Sequence, residues 1–453
     1  MPFLQALLLL VAVVAVIAVA IATRSGRLHP LLALVPVAAV FGRAAGIDTA
    51  FVAKAFGIGF TQTLYSPGLV IVAAALVGSL AESTGDSAWL AAKFARSRRF
   101  GATSTAAGLG LIAGLASSPA TAFALLTPFL RAIGGGGLAE KRQAVAIAPA
   151  LALSAGHGLI LFSPVPMAAA SIFDAAWGRV VLCGLPLAIV LAAFSVGWAR
   201  LLAAGAASLP SPGAAPVVEK RAGWSALVFV VATAIPLAML IEQSLGDIPS
   251  EPLGGGPARE LVLAAGRPLY LAFAALLIML IGLWRFSAKL LGDADWVGRA
   301  LGKVAGLLLL VGAAGGLQRI CQETGMAELL GEKLLGWHIG PLLTLLVPFL
   351  IAATIKTLQG SSLVAAIAAA GMVQPILAPL GLAGGSGRAL AALAVGAGAM
   401  TVAHINDELF WLVCGTADLR PPRGLWMFSA GTLVQGVIAI AALLAIAAVS
   451  LPG

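Results

Sequence analysis

Five consecutive residues, His404-Ile405-Asn406-Asp407-Glu408, set four polar or ionisable side chains inside an apolar stretch. Leu390–Met400 before them and Leu409–Cys414 after them carry no charge. Ionisable groups in such a setting are costly and mark ion or substrate pathways; a wet position at a membrane surface is the alternative. Histidine titrates near neutral pH, and Asp407 and Glu408 lie about one turn from His404. The chemistry this suggests is proton transfer by His404, Asp407 and Glu408, with Asn406 hydrogen-bonding a ligand.

A second chemistry is anion binding. Ser117-Ser118-Pro119 and Gly360-Ser361-Ser362 each sit in a long apolar region. Serine before a helix accepts from its first free amides, proline suits the first helical position, and a helix start carries partial positive charge. Two such ends meeting within a membrane would hold a carboxylate without a full buried cation. Close helix packing by small residues is the competing explanation. Lys356, just ahead of Gly360, either adds charge to a bound carboxylate or snorkels to the surface. His157, between Gly156 and Gly158 and ahead of Ser163-Pro164-Val165-Pro166, is either a substrate-binding group or a histidine bonded to a backbone carbonyl. No metal spacing, phosphate loop, nucleophile elbow or dinucleotide fingerprint is present. No cofactor, no metal and no enzymatic activity are therefore expected. Cys183, Cys321 and Cys414 lie far apart and read as small apolar fillers.

The elements that position these residues are membrane helices. Of 453 residues, 60% are hydrophobic and 10% charged, with a mean hydropathy of +1.05. A soluble fold needs a polar shell that this composition does not supply. Leu4–Ile21, Ala226–Ile241 and Val437–Val449 carry no charge, and roughly 20 apolar residues cross the hydrocarbon layer as a helix. The runs are continuous rather than alternating, which argues for helices over a closed barrel. The fold class is all-α and polytopic, with about 11–13 transmembrane helices. Expected spans include 31–46, 64–81, 144–163, 178–199, 304–320 and 389–413; Gly, Pro and Ser clusters predict re-entrant or broken hairpins near 103–133 and 350–380.

The net charge of +9 does not indicate a nucleic-acid partner, because the basic residues cluster in short loops, where they set orientation. Residues 93–99, 200–221 and 285–303 are basic and belong inside; 242–260 are mostly acidic and belong outside. Arg24 and Arg27 follow the first apolar run and nothing basic precedes it, so it reads as a span with the N-terminus outside rather than as a signal peptide. The layout is N-terminal helices (1–60), a first repeat (61–205), a Pro-rich cytoplasmic linker (206–222), connecting helices (223–300) and a second repeat (301–453).

The repeat rests on spacing. Thr84-Gly85, Ser117-Ser118 and His157 are separated by 33 and 40 residues; Thr324-Gly325, Ser361-Ser362 and His404 by 37 and 43. Residues 86–99 carry one acid and four bases, whereas 323–340 carry three acids and one lysine. One copy therefore enters where the other leaves, the pattern of inverted repeats in secondary transporters.

At these motifs the chain resembles the gluconate permease family of proton symporters, within the wider ion-transporter superfamily. Residues 397–412 are similar to its Ser-His-x-Asn-Asp-x-x-Phe-Trp block through His404, Asn406, Asp407, Phe410 and Trp411. KTLQGSSLVA (356–365) is similar to its Arg-x-x-x-Gly-Ser-x-Thr-Val-Ala segment, and 154–173 to its Thr-His-Gly segment and proline turn. The chain departs from the pattern at Lys356 for Arg, Leu363 for Thr, Ser163 and Val165 for His and Gly, Ala120 for an acidic residue, and Glu408-Leu409 for Pro-Gly. The resemblance implies uptake of an organic or sugar acid with protons, and a homodimer with moving transport domains; sodium coupling occurs in the superfamily. The expectation is an inner-membrane symporter for a small carboxylate. Its rivals are a sodium-coupled carriage of the same cargo, a membrane-embedded enzyme and a passive channel.

Overall fold

The structure, a computed structural model, describes residues 30–84, 101–116, 118–134, 139–161, 163–204, 224–246, 256–284, 296–324 and 343–450. The first apolar run, Gly85, the basic stretch 93–99, Ser117, the linker 206–222 and Gly325 lie outside the described residues.

The described residues form helices and short connections, with no strand among them. In chain order the helices are α1 (Pro30–Ala44), α2 (Thr49–Thr63), α3 (Leu69–Thr84), α4 (Ala102–Ala113), α5 (Pro119–Gly134), α6 (Ala139–Leu159), α7 (Pro164–Ile172), α8 (Trp177–Ala203), α9 (Trp224–Gly246), α10 (Pro257–Ala265), α11 (Pro268–Leu283), α12 (Trp296–Glu323), α13 (Leu346–Gln359), α14 (Ser362–Val373), α15 (Gly385–Ala399), α16 (Glu408–Ala417) and α17 (Pro421–Ser450). Four described stretches are long and apolar enough to cross a membrane unbroken: Lys141–Ile172, α8, α12 and α17. Most of the others are apolar helices of 10–17 residues.

The outer faces fit lipid rather than water. On α8, Leu182 is 73% and Leu201 72% exposed, while Val180, Leu187 and Leu191 are buried. A soluble monomer does not display such an apolar surface. The break between α10 and α11 bends the chain by 71°, and α10 carries Arg259 and Glu260 beside exposed Leu261, as a helix lying along the interface does. Trp224 at the start of α9 donates to the Gly282 carbonyl near the end of α11 at 2.8 Å; Trp224 and Trp284 are both exposed, as tryptophans at a membrane edge are.

The helices sort into two bundles. In the first, α12 packs on α1, α2 and α3, and α11 joins α3 to α9. Glycine lets α12 approach α2: Gly315 faces Thr63 and Gly59, and Gly312 and Gly316 face Phe60 and Phe56. In the second, α6 contacts α4, α5, α8, α15 and α16, while α13, α14 and α15 pack on one another, and α14 and α15 pack on α7. The bundles meet where α12 lies on α13 and α16, and where α3 and α9 lie on α5.

The second bundle is built from helices interrupted in mid-course: α4/α5, α6/α7, α13/α14 and α15/α16. The expected single span 389–413 is in fact broken between Ala399 and Glu408. Its loop is satisfied by side chains: Ala403 N–H donates to Thr432 at 3.2 Å, Ser429 to the Ala403 carbonyl at 2.5 Å, and Trp411 to the Ile405 carbonyl at 2.9 Å. Non-helical backbone at membrane depth survives only with such partners. A second difference is α2, where no span was expected; it runs through a π turn at Leu64–Gly68 into α3, and Pro67, which lacks an N–H, falls in that turn.

The two interrupted pairs α6/α7 and α15/α16 touch at glycine. A Cβ on Gly396 would lie 1.9 Å from the Gly158 carbonyl oxygen. Gly396→Ala is therefore expected to destabilise the protein by about 1–3 kcal/mol through overpacking, read as a lowered unfolding temperature in detergent. Gly197→Ala, at a site with open space, serves as the control.

Candidate functional site

Three of the four breaks, together with the body of α6, converge on one cavity of about 190 Å³. Its wall takes Ser118, Pro119 and Ala120 from the start of α5, Ser154 and His157 from α6, Lys356 from α13, Gly360–Leu363 from the next break, Met400 and Ala403, Asp407–Leu409 from the start of α16, and Gln318 from α12. A single buried water needs only ~10–15 Å³, so there is room for a small organic ion.

Two serine-capped helix N-termini open into this cavity, beside the start of α16, which Asp407 caps. Ser118 caps α5: Thr121 N–H donates to its hydroxyl at 3.3 Å, with Pro119 in the first turn. Ser361 caps α14, accepting from Val364 N–H at 3.4 Å. Gly360 makes the turn at φ +81°, and a Cβ there would meet the Asn406 carbonyl oxygen at 2.4 Å. Backbone handedness and crowding both demand glycine at this point. Each helix start contributes the equivalent of roughly half a positive charge.

Lys356 does not reach the surface. It is 2% exposed, 2.5 Å from Asp407 Oδ2, and also donates to the Gly360 carbonyl. Asp407 Oδ1 accepts from Leu409 N–H at 2.8 Å, so the same carboxylate neutralises the lysine and caps α16. Asp407 and His404 are consequently not hydrogen-bonded to each other through their side chains. His404 Nε2 is 2.7 Å from the Thr357 carbonyl, which can only accept, and its Nδ1 is buried without a partner. Asn406 donates to the Thr357 and Leu358 carbonyls at 3.0 and 3.1 Å. Both residues thus serve the C-terminal end of α13 and stand behind the cavity wall rather than in it.

His157 is 3% exposed. Its Nδ1 lies 3.2 Å from the Gly114 carbonyl and 3.1 Å from Ser163 Oγ, and the Ser163 hydroxyl donates to the His157 carbonyl at 2.6 Å. Since Gly114 can only accept, Nδ1 carries a proton. His157 is both bonded to a carbonyl and a cavity-lining residue. Glu408 and Gln318 differ from all of these: both face the cavity half-buried, and neither side chain makes a hydrogen bond or ion pair with another described residue.

The family model for GntP family permease matches residues 7–449. The chain belongs to that family. It is 28% identical to a gluconate permease of Pseudomonas aeruginosa over 90% of both chains, and 28% identical to the Gnt-II system L-idonate transporter of Escherichia coli over 94% of both. Among solved structures, the Alcanivorax borkumensis YdaH transporter aligns over 88% of both chains with a TM-score of 0.38 and 17% identity.

This GntP family permease is accordingly an integral membrane transporter and not an enzyme. Of the residues expected to form its site, Ser118, His157, Lys356, Gly360, Ser361, Ser362, Asp407 and Glu408 line one cavity. His404 and Asn406 support it from behind, and Ser117 is outside the described residues. Five departures from the family pattern, Ala120, Lys356, Leu363, Glu408 and Leu409, face the same cavity. Gln318 escaped the sequence reading because it stands next to Arg319 where an apolar run ends, and such a polar pair reads as the edge of a span. The signal for it was periodic: Leu307, Val311, Ala314 and Gln318 share one face of α12, and only the last is polar.

Proposed function

We propose that this permease is a secondary transporter that takes up a gluconate-like sugar acid by proton symport across the inner membrane. The observation that supports it is the charge inventory of the cavity. Lys356 is matched by Asp407, two helix starts add roughly one positive charge together, and Glu408 as a carboxylate offsets it. An entering carboxylate brings one further negative charge, and a proton on Glu408 restores the balance. Anion and proton are then favoured together and disfavoured singly, which is the requirement for coupling.

The substrate carboxylate sits at Ser118, Ser361 and Ser362 beside Lys356, and Glu408 is the proton site. The relatives named above support the cargo class. The two pairs of interrupted helices, α4–α7 and α13–α16, each with a serine-capped second helix, support two inverted repeats; the family resemblance supports a homodimer. Uptake of labelled gluconate into proteoliposomes tests the reading. Accumulation driven by an inside-alkaline pH gradient is expected. Accumulation driven by sodium alone transfers the coupling to sodium, gradient-independent flux means a channel, and no uptake of any sugar acid refutes the transporter for this cargo.

The caps make a separate prediction. Ser118→Ala and Ser361→Ala each remove an acceptor worth about 1 kcal/mol to the helix start. KM for gluconate is expected to rise roughly fivefold in each, with the unfolding temperature lowered only slightly.

A further inference from the structure

We infer that Gln318 reads the hydroxyl groups of the cargo and so selects polyhydroxy acids over plain carboxylates. The inference rests on the proposed carboxylate site. The polar groups gathered at Ser118, Lys356 and Ser361 all suit a negative oxygen: two helix starts and an ammonium. They supply nothing specific for the rest of a sugar acid. Much of the remaining cavity wall is apolar or already engaged. Ala120, Leu363, Met400, Ala403 and Leu409 carry no polar side chain, and the Ser154 hydroxyl donates to the Ala150 carbonyl at 3.0 Å.

Gln318 is the primary-amide side chain in that wall. An amide offers donors and an acceptor side by side, which matches neighbouring hydroxyls that each donate and accept. Its side chain has no partner among the described residues. It also enters from the other bundle. Its helix, α12, is held to α2 by the glycine contacts at Gly312, Gly315 and Gly316, while its face through Leu307, Val311 and Ala314 points to the second bundle; Leu307 lies against Gly415 of α16. The first bundle thereby contributes a polar hand to a cavity otherwise made by the second. A cargo with hydroxyls touches both bundles, and one without them touches only one.

The experiment compares cargoes in proteoliposomes of wild type and Gln318→Leu, using labelled gluconate uptake with unlabelled gluconate or hexanoate as competitor. Hexanoate has the carboxylate and chain length without the hydroxyls. For Gln318→Leu, the gluconate KM is expected to rise about tenfold, the effect of one to two net hydrogen bonds, while inhibition by hexanoate stays unchanged or strengthens. Equal weakening of both acids means a structural role and overturns the inference. So does an unchanged gluconate KM. Thermal-shift titration of the two proteins with both acids supplies the same comparison should transport by the variant be too slow to measure. If wild type takes up gluconate but Gln318→Leu leaves its selectivity intact, only this inference fails; if wild type takes up no sugar acid, the functional proposal fails and this falls with it.

Discussion

Proteoliposomes carrying Glu408→Gln are expected to exchange labelled for unlabelled gluconate yet fail to concentrate it when an inside-alkaline gradient is imposed. Glutamine has the size of a protonated glutamic acid and cannot release the proton. Lys356, Asp407 and the two serine caps are untouched, so anion binding persists. With one proton per anion, wild type concentrates cargo about tenfold per pH unit of gradient; the variant is expected to show a ratio near one. Wild-type accumulation by the variant would remove Glu408 from the coupling route and return the role to His404 or Asp407.

Position 120 supplies a second arm to this prediction. The resemblance places an acidic residue there, this chain has Ala120, and Ala120 faces the same cavity as Glu408. A carboxylate lost on one wall is thus matched by one present on another. Adding Ala120→Asp to Glu408→Gln is expected to restore part of the gradient-driven accumulation. Ala120→Asp alone places a second acid in the cavity, and it is expected to weaken gluconate binding by like-charge repulsion.

The fold class was legible because composition leaves no alternative: a chain this apolar must hide its backbone in helices. The breaks were legible where glycine and serine announce them, at Gly360-Ser361 and Ser118-Pro119. The break at 400–407 was not read, although its cause was on view. His404, Asn406 and Asp407 were weighed as ligands and proton carriers within a span. Their polar groups are instead engaged by the ends of helices: Asn406 and His404 by carbonyls of α13, Asp407 by the first amides of α16. Polar residues prefer caps to helix interiors for this reason, and the apolar flanks of 389–413 outweighed that signal. Which side chains face a common space is a tertiary fact. No spacing joins Gln318 to Ser361, because they meet only when α12 packs on α13 and α16.

The buried pair Lys356–Asp407 is expected to show the largest effects of single substitution. Lys356→Met leaves a carboxylate with no counter-ion, and Asp407→Asn leaves an ammonium with none; side-chain exposures of 3% and 11% give water little access to either. Breaking such a pair costs about 3–5 kcal/mol. Asparagine remains a good helix cap, so the loss in Asp407→Asn comes from charge rather than from the end of α16. The double variant Lys356→Met/Asp407→Asn removes both charges and is expected to unfold close to wild type, well above either single variant. A double-mutant cycle in detergent measures this; additive losses would mean the two charges do not compensate each other. Transport separates the second role of the lysine. The folded double variant still presents both serine caps but no cation, and gluconate uptake is expected to be lost in it. Uptake with a wild-type KM would show that the helix starts alone hold the carboxylate and that Lys356 serves only to balance Asp407.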